Sequence, residues 1–128
     1  MRALLDTHTF LWAALDDRRL SSRAADLVAD IGNEIYLSAV SVWEVAIKHS
    51  RGRLSLPEPP DSYIPSRIAV FGYRPLPVEV AHALRAGRLP PHHRDPFDRM
   101  LVAQAQVEGL PILTSDANIG RYEVEVIW

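Results

Sequence analysis

Asp6 and Asp116 each close an apolar run, RALL and LPILTS, while Glu44 and Asp98 each lie early in an apolar-periodic segment. A fifth acid, Asp95, stands before Pro96. Carboxylates brought into one cleft repel. Two unit charges about 4 Å apart cost about 4 kcal/mol at an effective dielectric near 20. Such a group must protonate or hold a cation. A donor set made only of oxygens selects hard ions, Mg²⁺ or Mn²⁺. That arrangement suits phosphodiester hydrolysis, where the metal activates water and steadies the leaving oxygen.

Each acid also has a plainer explanation. Asp6 can cap the helix that follows it, and Asp116 can cap a turn. Ser41 to Glu44 spells S-x-x-E, a capping box. Asp95 before Pro96 reads as an N-cap with proline at N1, and Asp98 then falls at N3, where the helix dipole favours an anion. Asp98 nevertheless heads the stripe Leu101, Val102 and Ala105, so spacing turns it inward and leaves Asp95 as the cap.

The elements that must position these residues alternate between strand and helix. Residues 2–6, 34–39, 110–116 and 124–128 read as strands, with a short extended piece at 73–77. Residues 7–15, 20–32, 41–52, 78–87 and 97–109 read as helices. A proline-rich loop, LPEPPDSY, leads into a helix within 61–72, and 88–96 reads as a loop. This order predicts an α/β domain with a mostly parallel sheet covered on both faces. In such sheets, ligands collect beyond the carboxyl ends of the strands, where Asp6 and Asp116 stand.

The chain has 128 residues, 48% of them hydrophobic, which predicts one domain, residues 1–128, with a true core. Cysteine is absent, which excludes disulfides and thiolate metal sites. The net charge of −2 provides no global field for a polyanion. The apolar windows are too short to span a bilayer, and MRALLD leads directly into a strand pattern, so the expectation is a cytoplasmic protein with no signal peptide and no membrane contact.

LLDTHTFLW, LSAVSVWEVAIK, RDPFDRMLVAQA and PILTSDANIGRY resemble, in order and spacing, the PIN-domain family, and within it the VapC-type toxins of bacterial toxin–antitoxin pairs. The resemblance covers nearly the whole chain. It implies a three-layer α/β/α sandwich around a mostly parallel sheet of four to five strands. It also implies Mg²⁺- or Mn²⁺-dependent endoribonuclease activity, a homodimer, and inhibition by a VapB-type antitoxin in a hetero-oligomer. Asp6, Glu44 and Asp98 carry the family's three core acids, and Asp116 the fourth. Thr114 or Ser115 resembles the small hydroxyl residue that often orders the site. His8 follows the "DT" pair and reads as an exposed or core-edge residue.

With RNA as substrate, local basic residues must hold the phosphates. Lys48, His49, Arg51 and Arg53 form one group; Arg85, Arg88, His92, His93 and Arg94 form a second, with Arg99 beside Asp98. The second group precedes a proposed metal ligand, and Arg94 and Arg99 are the nearest contacts. A solvated surface explains any one of them equally well. His49, His82, His92 and His93 are not spaced as a metal site, and Trp12, Trp43 and Trp128 fit core or dimer packing. Two other readings stay open: a phospho-accepting receiver-like domain, disfavoured because Asp6 has no acidic neighbour and Lys48 is the only lysine, and a PIN scaffold without activity.

Overall fold

A computed structural model describes residues 1–128. Five strands form one sheet: β1 (Arg2–Leu5), β2 (Glu34–Ser38), β3 (Arg74–Leu76), β4 (Ile112–Leu113) and β5 (Val126–Ile127). Their spatial order is β3-β2-β1-β4-β5, and every pairing is parallel. The registers set Leu4 opposite Tyr36 on one side and Ile112 on the other. Six helices cover the sheet: α1 (Thr7–Ala14), α2 (Ser22–Ala29), α3 (Ala39–Ser50), α4 (Pro60–Phe71), α5 (Val80–Gly87) and α6 (Pro96–Glu108). A 3-10 turn, Ile119–Arg121, links β4 to β5.

The period-2 alternation of a strand explains the three layers. Ala3 and Leu5 enter one apolar cluster with Phe10, Val28, Val45 and Ile64. Leu4, between them, enters the other with Leu101, Val102 and Leu89. Both faces of β1 are therefore buried, as the unbroken apolar run predicts. The chain leaves β1 toward β2 on one side and reaches β4 on the other. The gap between the carboxyl ends of β1 and β4 is thus the topological switch point, the usual place for a ligand in an open parallel sheet.

Several boundaries differ from the sequence reading, each for a local reason. Helix α3 starts at Ala39, not Ser41, because the Ser38 hydroxyl accepts from the Val40 amide and takes the cap. The expected capping box at Ser41–Glu44 is therefore absent, and Glu44 lies in the second turn. Ser41 instead accepts a hydrogen bond from the Thr7 hydroxyl at 2.8 Å, tying α1 to α3. Pro65 lies inside α4 without ending it, and α4 closes at Gly72, whose φ of 71° suits a residue without a side chain. Strands β4 and β5 shrink to two residues each, less than their apolar runs imply.

Helix α6 matches its reading closely. The Asp95 carboxylate accepts from the Phe97 amide at 2.8 Å and the Asp98 amide at 3.3 Å, Pro96 fills N1, and Gly109 ends the helix at φ 66°. Of the core or dimer packing expected of Trp43, the core alternative does not hold: it is 61% exposed and lies edge-on to Phe97. Trp12 and Trp128 do pack together, and His8 is exposed, stacked on Trp12. No helix is long and apolar enough to cross a membrane.

Candidate functional site

The acids at the switch point are largely not caps. Asp6 occupies the N-cap position of α1, yet its side chain makes no capping hydrogen bond. Instead its Oδ2 accepts from the Thr114 hydroxyl at 2.7 Å across the β1–β4 gap. Thr114 also accepts from the Asp116 amide at 3.0 Å. One buried hydroxyl therefore fixes the Asp6 carboxylate and the turn carrying Asp116 together. The Asp116 Oδ1 accepts from the Asn118 amide at 2.8 Å, so this acid is a turn former as expected, while its Oδ2 faces the cleft.

Glu44 is 2% exposed and reaches the same edge from α3. Its Oε2 accepts from the Lys48 ammonium one turn later. Burial works against the Lys48 charge, but Glu44, with Asp95 and Asp98 behind it, holds its pKa above the ordinary lysine value. Lys48 is therefore a cleft cation paired to an acid rather than part of a free basic cluster with Arg51 and Arg53.

Asp98 receives the field of all the others. Burial pushes its carboxyl up to about 8, and the negative charges of Asp6, Asp95, Glu44 and Asp116 push in the same direction. Burial also raises Asp6, against the Thr114 hydrogen bond that favours its charged form. Asp6, Glu44, Asp98 and Asp116 thus lie within electrostatic reach at one edge, and the fold gathers all four acids singled out in the sequence. Asp95 stays in its cap.

Two buried oxygens in this cluster have no hydrogen-bond partner, Asp6 Oδ1 and Glu44 Oε1. An unpaired buried carboxylate oxygen is costly, and a cation removes the cost. The acidic cluster therefore fits a hard divalent ion.

The sequence reading missed His93. Its Nε2 lies 2.9 Å from Asp98 Oδ2 and 3.3 Å from Asp116 Oδ2. These three atoms lie within 4.8 Å of one another, close enough to enclose an ion. The other ring nitrogen decides the role. Nδ1 accepts from the Asp95 amide at 3.3 Å, so it carries the lone pair and the neutral ring's proton sits on Nε2. In this pose His93 donates to the two carboxylates and offers no lone pair to a metal, and the ligand set remains oxygen. Spacing could not reveal this, because His93 meets Asp98 through the reversal of the loop at 88–95. The Lys48–Glu44 pair was legible, since four residues apart on a helix is contact distance.

The proposed substrate residues divide. Thr114 is fully buried against Asp6, and Ser115 is exposed beside it. Arg94 is exposed. Arg99 turns away from the acids: its guanidinium donates to the carbonyls of Ala86, Leu89, Pro90 and His93 and to the Tyr122 hydroxyl, at 3.0–3.4 Å. It pins the loop that delivers His93. These acceptors take up both terminal nitrogens of the guanidinium.

The PIN-domain description matches residues 3–125. Ribonuclease VapC16 of Mycobacterium tuberculosis is 42% identical over 82 residues, 59% of this chain and 58% of that protein's length. Ribonuclease VapC22 of the same organism is 27% identical over 119 residues, 91% of this chain and 88% of that protein. Among solved structures, VapBC2 from Rickettsia felis, bound to a DNA fragment from its promoter, superposes with a TM-score of 0.70 at 15% identity, over 99% of this chain and 98% of that one. The α/β fold with its five-stranded parallel sheet is therefore the PIN-like one, and a receiver-like domain is set aside. Because the match takes in every acid of the cleft and nearly all of the sheet that gathers them, the chain belongs to the PIN-domain family.

Proposed function

We propose that the chain is a divalent-metal-dependent endoribonuclease, a VapC-type toxin restrained by a VapB-type antitoxin. The observation that carries this reading is the pair of buried, unpartnered carboxylate oxygens, Asp6 Oδ1 and Glu44 Oε1, beside an Asp98 carboxyl whose pKa stands at about 8. The names of the relatives, both ribonucleases, supply the substrate class.

Asp6, Glu44, Asp98 and Asp116 would hold Mg²⁺ or Mn²⁺. A bound ion supplies charge neutralisation and water activation for phosphodiester hydrolysis. Everything else is done by the chain. Thr114 holds Asp6 Oδ2 and leaves Oδ1 free. His93 donates from Nε2 and keeps Asp98 and Asp116 facing each other. Asp98, raised to about 8 by burial and its acidic neighbours, would have to be ionised to serve as a ligand. Lys48 neutralises one oxygen of Glu44 and so moderates the negative charge of the cleft. Arg94 and Ser115, both exposed at the rim, contact the RNA.

The cleft also explains the antitoxin. A set of carboxylates accepts a guanidinium or ammonium from a partner chain, which would compete for the oxygens that hold the ion. Assembly as a homodimer and as a toxin–antitoxin hetero-oligomer comes from the resemblance to VapC-type proteins.

The test is cleavage of single-stranded RNA by the wild-type protein and by Asp6→Asn and Asp98→Asn, with thermal melts of each. Both variants are expected to stay folded and to lose cleavage at saturating Mg²⁺. Normal cleavage by either variant would remove the assignment.

A further inference from the structure

Beyond the acid cleft lies a second, oppositely charged concavity. It has a volume of about 330 Å³, and its lining includes Arg85, Arg88, His92, Arg121, Tyr122 and Glu123. The three arginines come from separate places: Arg85 in the last turn of α5, Arg88 at its C-cap and Arg121 in the 3-10 turn. All three side chains are exposed, and none forms an ion pair. Arg121 donates only to the His92 carbonyl, at 3.4 Å. Glu123 is the one carboxylate in the lining, so three guanidiniums face a single negative charge. In a chain of net charge −2 this is a local excess of positive charge, the footprint expected of a polyanion contact.

One thin wall separates this cavity from the acids. Consecutive histidines point to opposite sides of the loop. The His93 ring enters the acid cluster, whereas the His92 ring lies against Tyr122 on the cavity side, 5.0 Å between centroids. The Tyr122 hydroxyl accepts from the His93 amide at 2.9 Å and from Arg99 at 3.3 Å, which makes the wall rigid.

We infer that this cavity is a subsite for a phosphate of the RNA strand flanking the scissile position, held by Arg85, Arg88 and Arg121. The inference rests on the ribonuclease reading of the neighbouring cleft and names its strand-binding surface. Guanidinium forks match phosphate oxygens in pairs, and their contacts set the register of the strand without reading sequence. Arg121, outside both basic groups evident in the sequence, belongs to the subsite; Arg94 and Arg99 do not.

The test uses a fluorescein-labelled single-stranded RNA decamer and wild-type protein in chelator, so that binding is read without cleavage. The variant Arg85→Gln/Arg88→Gln/Arg121→Gln is compared with Arg2→Gln/Arg74→Gln, which removes charge at the opposite, amino-terminal edge of the sheet. The subsite predicts at least tenfold weaker binding for the triple variant. It also predicts a log–log salt slope shallower by about 0.7, the change for one lost single-strand phosphate contact. The amino-terminal-edge variant should match the wild type. With Mg²⁺ restored, the triple variant should show a raised KM on the decamer, and an oligonucleotide too short to reach the cavity should be cut with unchanged kcat/KM. Unchanged binding, an equal loss in both variants, or a polyglutamate peptide competing as well as RNA of the same charge would overturn the subsite. Failure of the wild type to cleave any RNA would sink the ribonuclease reading instead, and the chelated binding experiment keeps the two failures apart.

Discussion

The two halves of the acid cleft are built differently. On the β1–α3 side, Asp6 and Glu44 are each 2% exposed, and they come from the end of a central strand and the second turn of a helix. On the α6–β4 side, Asp98, Asp116 and His93 keep 14%, 29% and 18% of their side-chain surface open. The first half is fixed by the core and ends in unpartnered oxygens. The second half is carried by a helix start, a turn and a loop, and an imidazole already satisfies its oxygens. The rigid half therefore demands a cation, while in the looser half burial and the neighbouring acids favour a protonated Asp98 until one arrives.

Loss of a rigid-half ligand should have the largest effect. Asp6→Asn is expected to reduce cleavage by at least about 10²-fold, the scale for removing one essential electrostatic group, and to weaken Mn²⁺ binding by calorimetry. If it bound Mn²⁺ as tightly as wild type, the two halves would not differ in the sense described.

Next comes the support of the looser half. Arg99→Met removes five donor contacts to the 86–93 loop and Tyr122 and should cost about 2–3 kcal/mol in urea unfolding. Ion affinity should fall too, because the loop carries His93. A stable variant with normal ion binding would show that the loop positions nothing.

His93→Ala should lower ion affinity about tenfold, as loss of an orienting group does, and His93→Gln, which keeps a donor, should recover part of it. Nitrogen-15 NMR offers a sharper reading: the Nε2 proton should persist when Mg²⁺ is added. Its loss on ion binding would make His93 a ligand and the site mixed.

A pH experiment probes the same half. Asp98 titrates at about 8 in the fold and near 3.9 when unfolded, so between those values the folded chain binds a proton that the unfolded chain has released. Its contribution to stability therefore falls as pH rises from about 4 to about 8. The urea midpoint in chelator should carry this downward slope, Asp98→Asn should flatten it, and Mg²⁺ at pH 8 should raise the midpoint. A slope unchanged in the variant would contradict the assignment. The smallest effect is expected at Ser115→Ala, within about 0.5 kcal/mol of wild-type stability because the side chain is exposed.

Much of this architecture was legible before any coordinates. Helix α6 announces itself by its cap, its proline and its terminal glycine, all local signals that act within one turn. The apolar run of β1 implies burial on both faces, because no alternation leaves a polar side. Boundaries failed where a competing local partner existed, as when Ser38 took the cap assigned to Ser41. The four acids could be named from type and position, but that Asp6 does not cap its helix could not, since it depends on Thr114 reaching Asp6 across 108 residues of sequence.

What the sequence alone determined is the alternation of strand and helix, the absence of thiol chemistry and a short set of acids at strand ends and helix starts. These follow from periodicity and residue type, which act over a few positions. The tertiary structure alone decided that His93 enters the cluster, that the Arg99 guanidinium staples the loop before it, and that Arg85, Arg88 and Arg121 line one cavity. Each of those depends on where a loop reverses and on which long side chain fills which space. Such choices are settled by packing and by the need to satisfy buried polar groups over the whole molecule, and no local pattern records them.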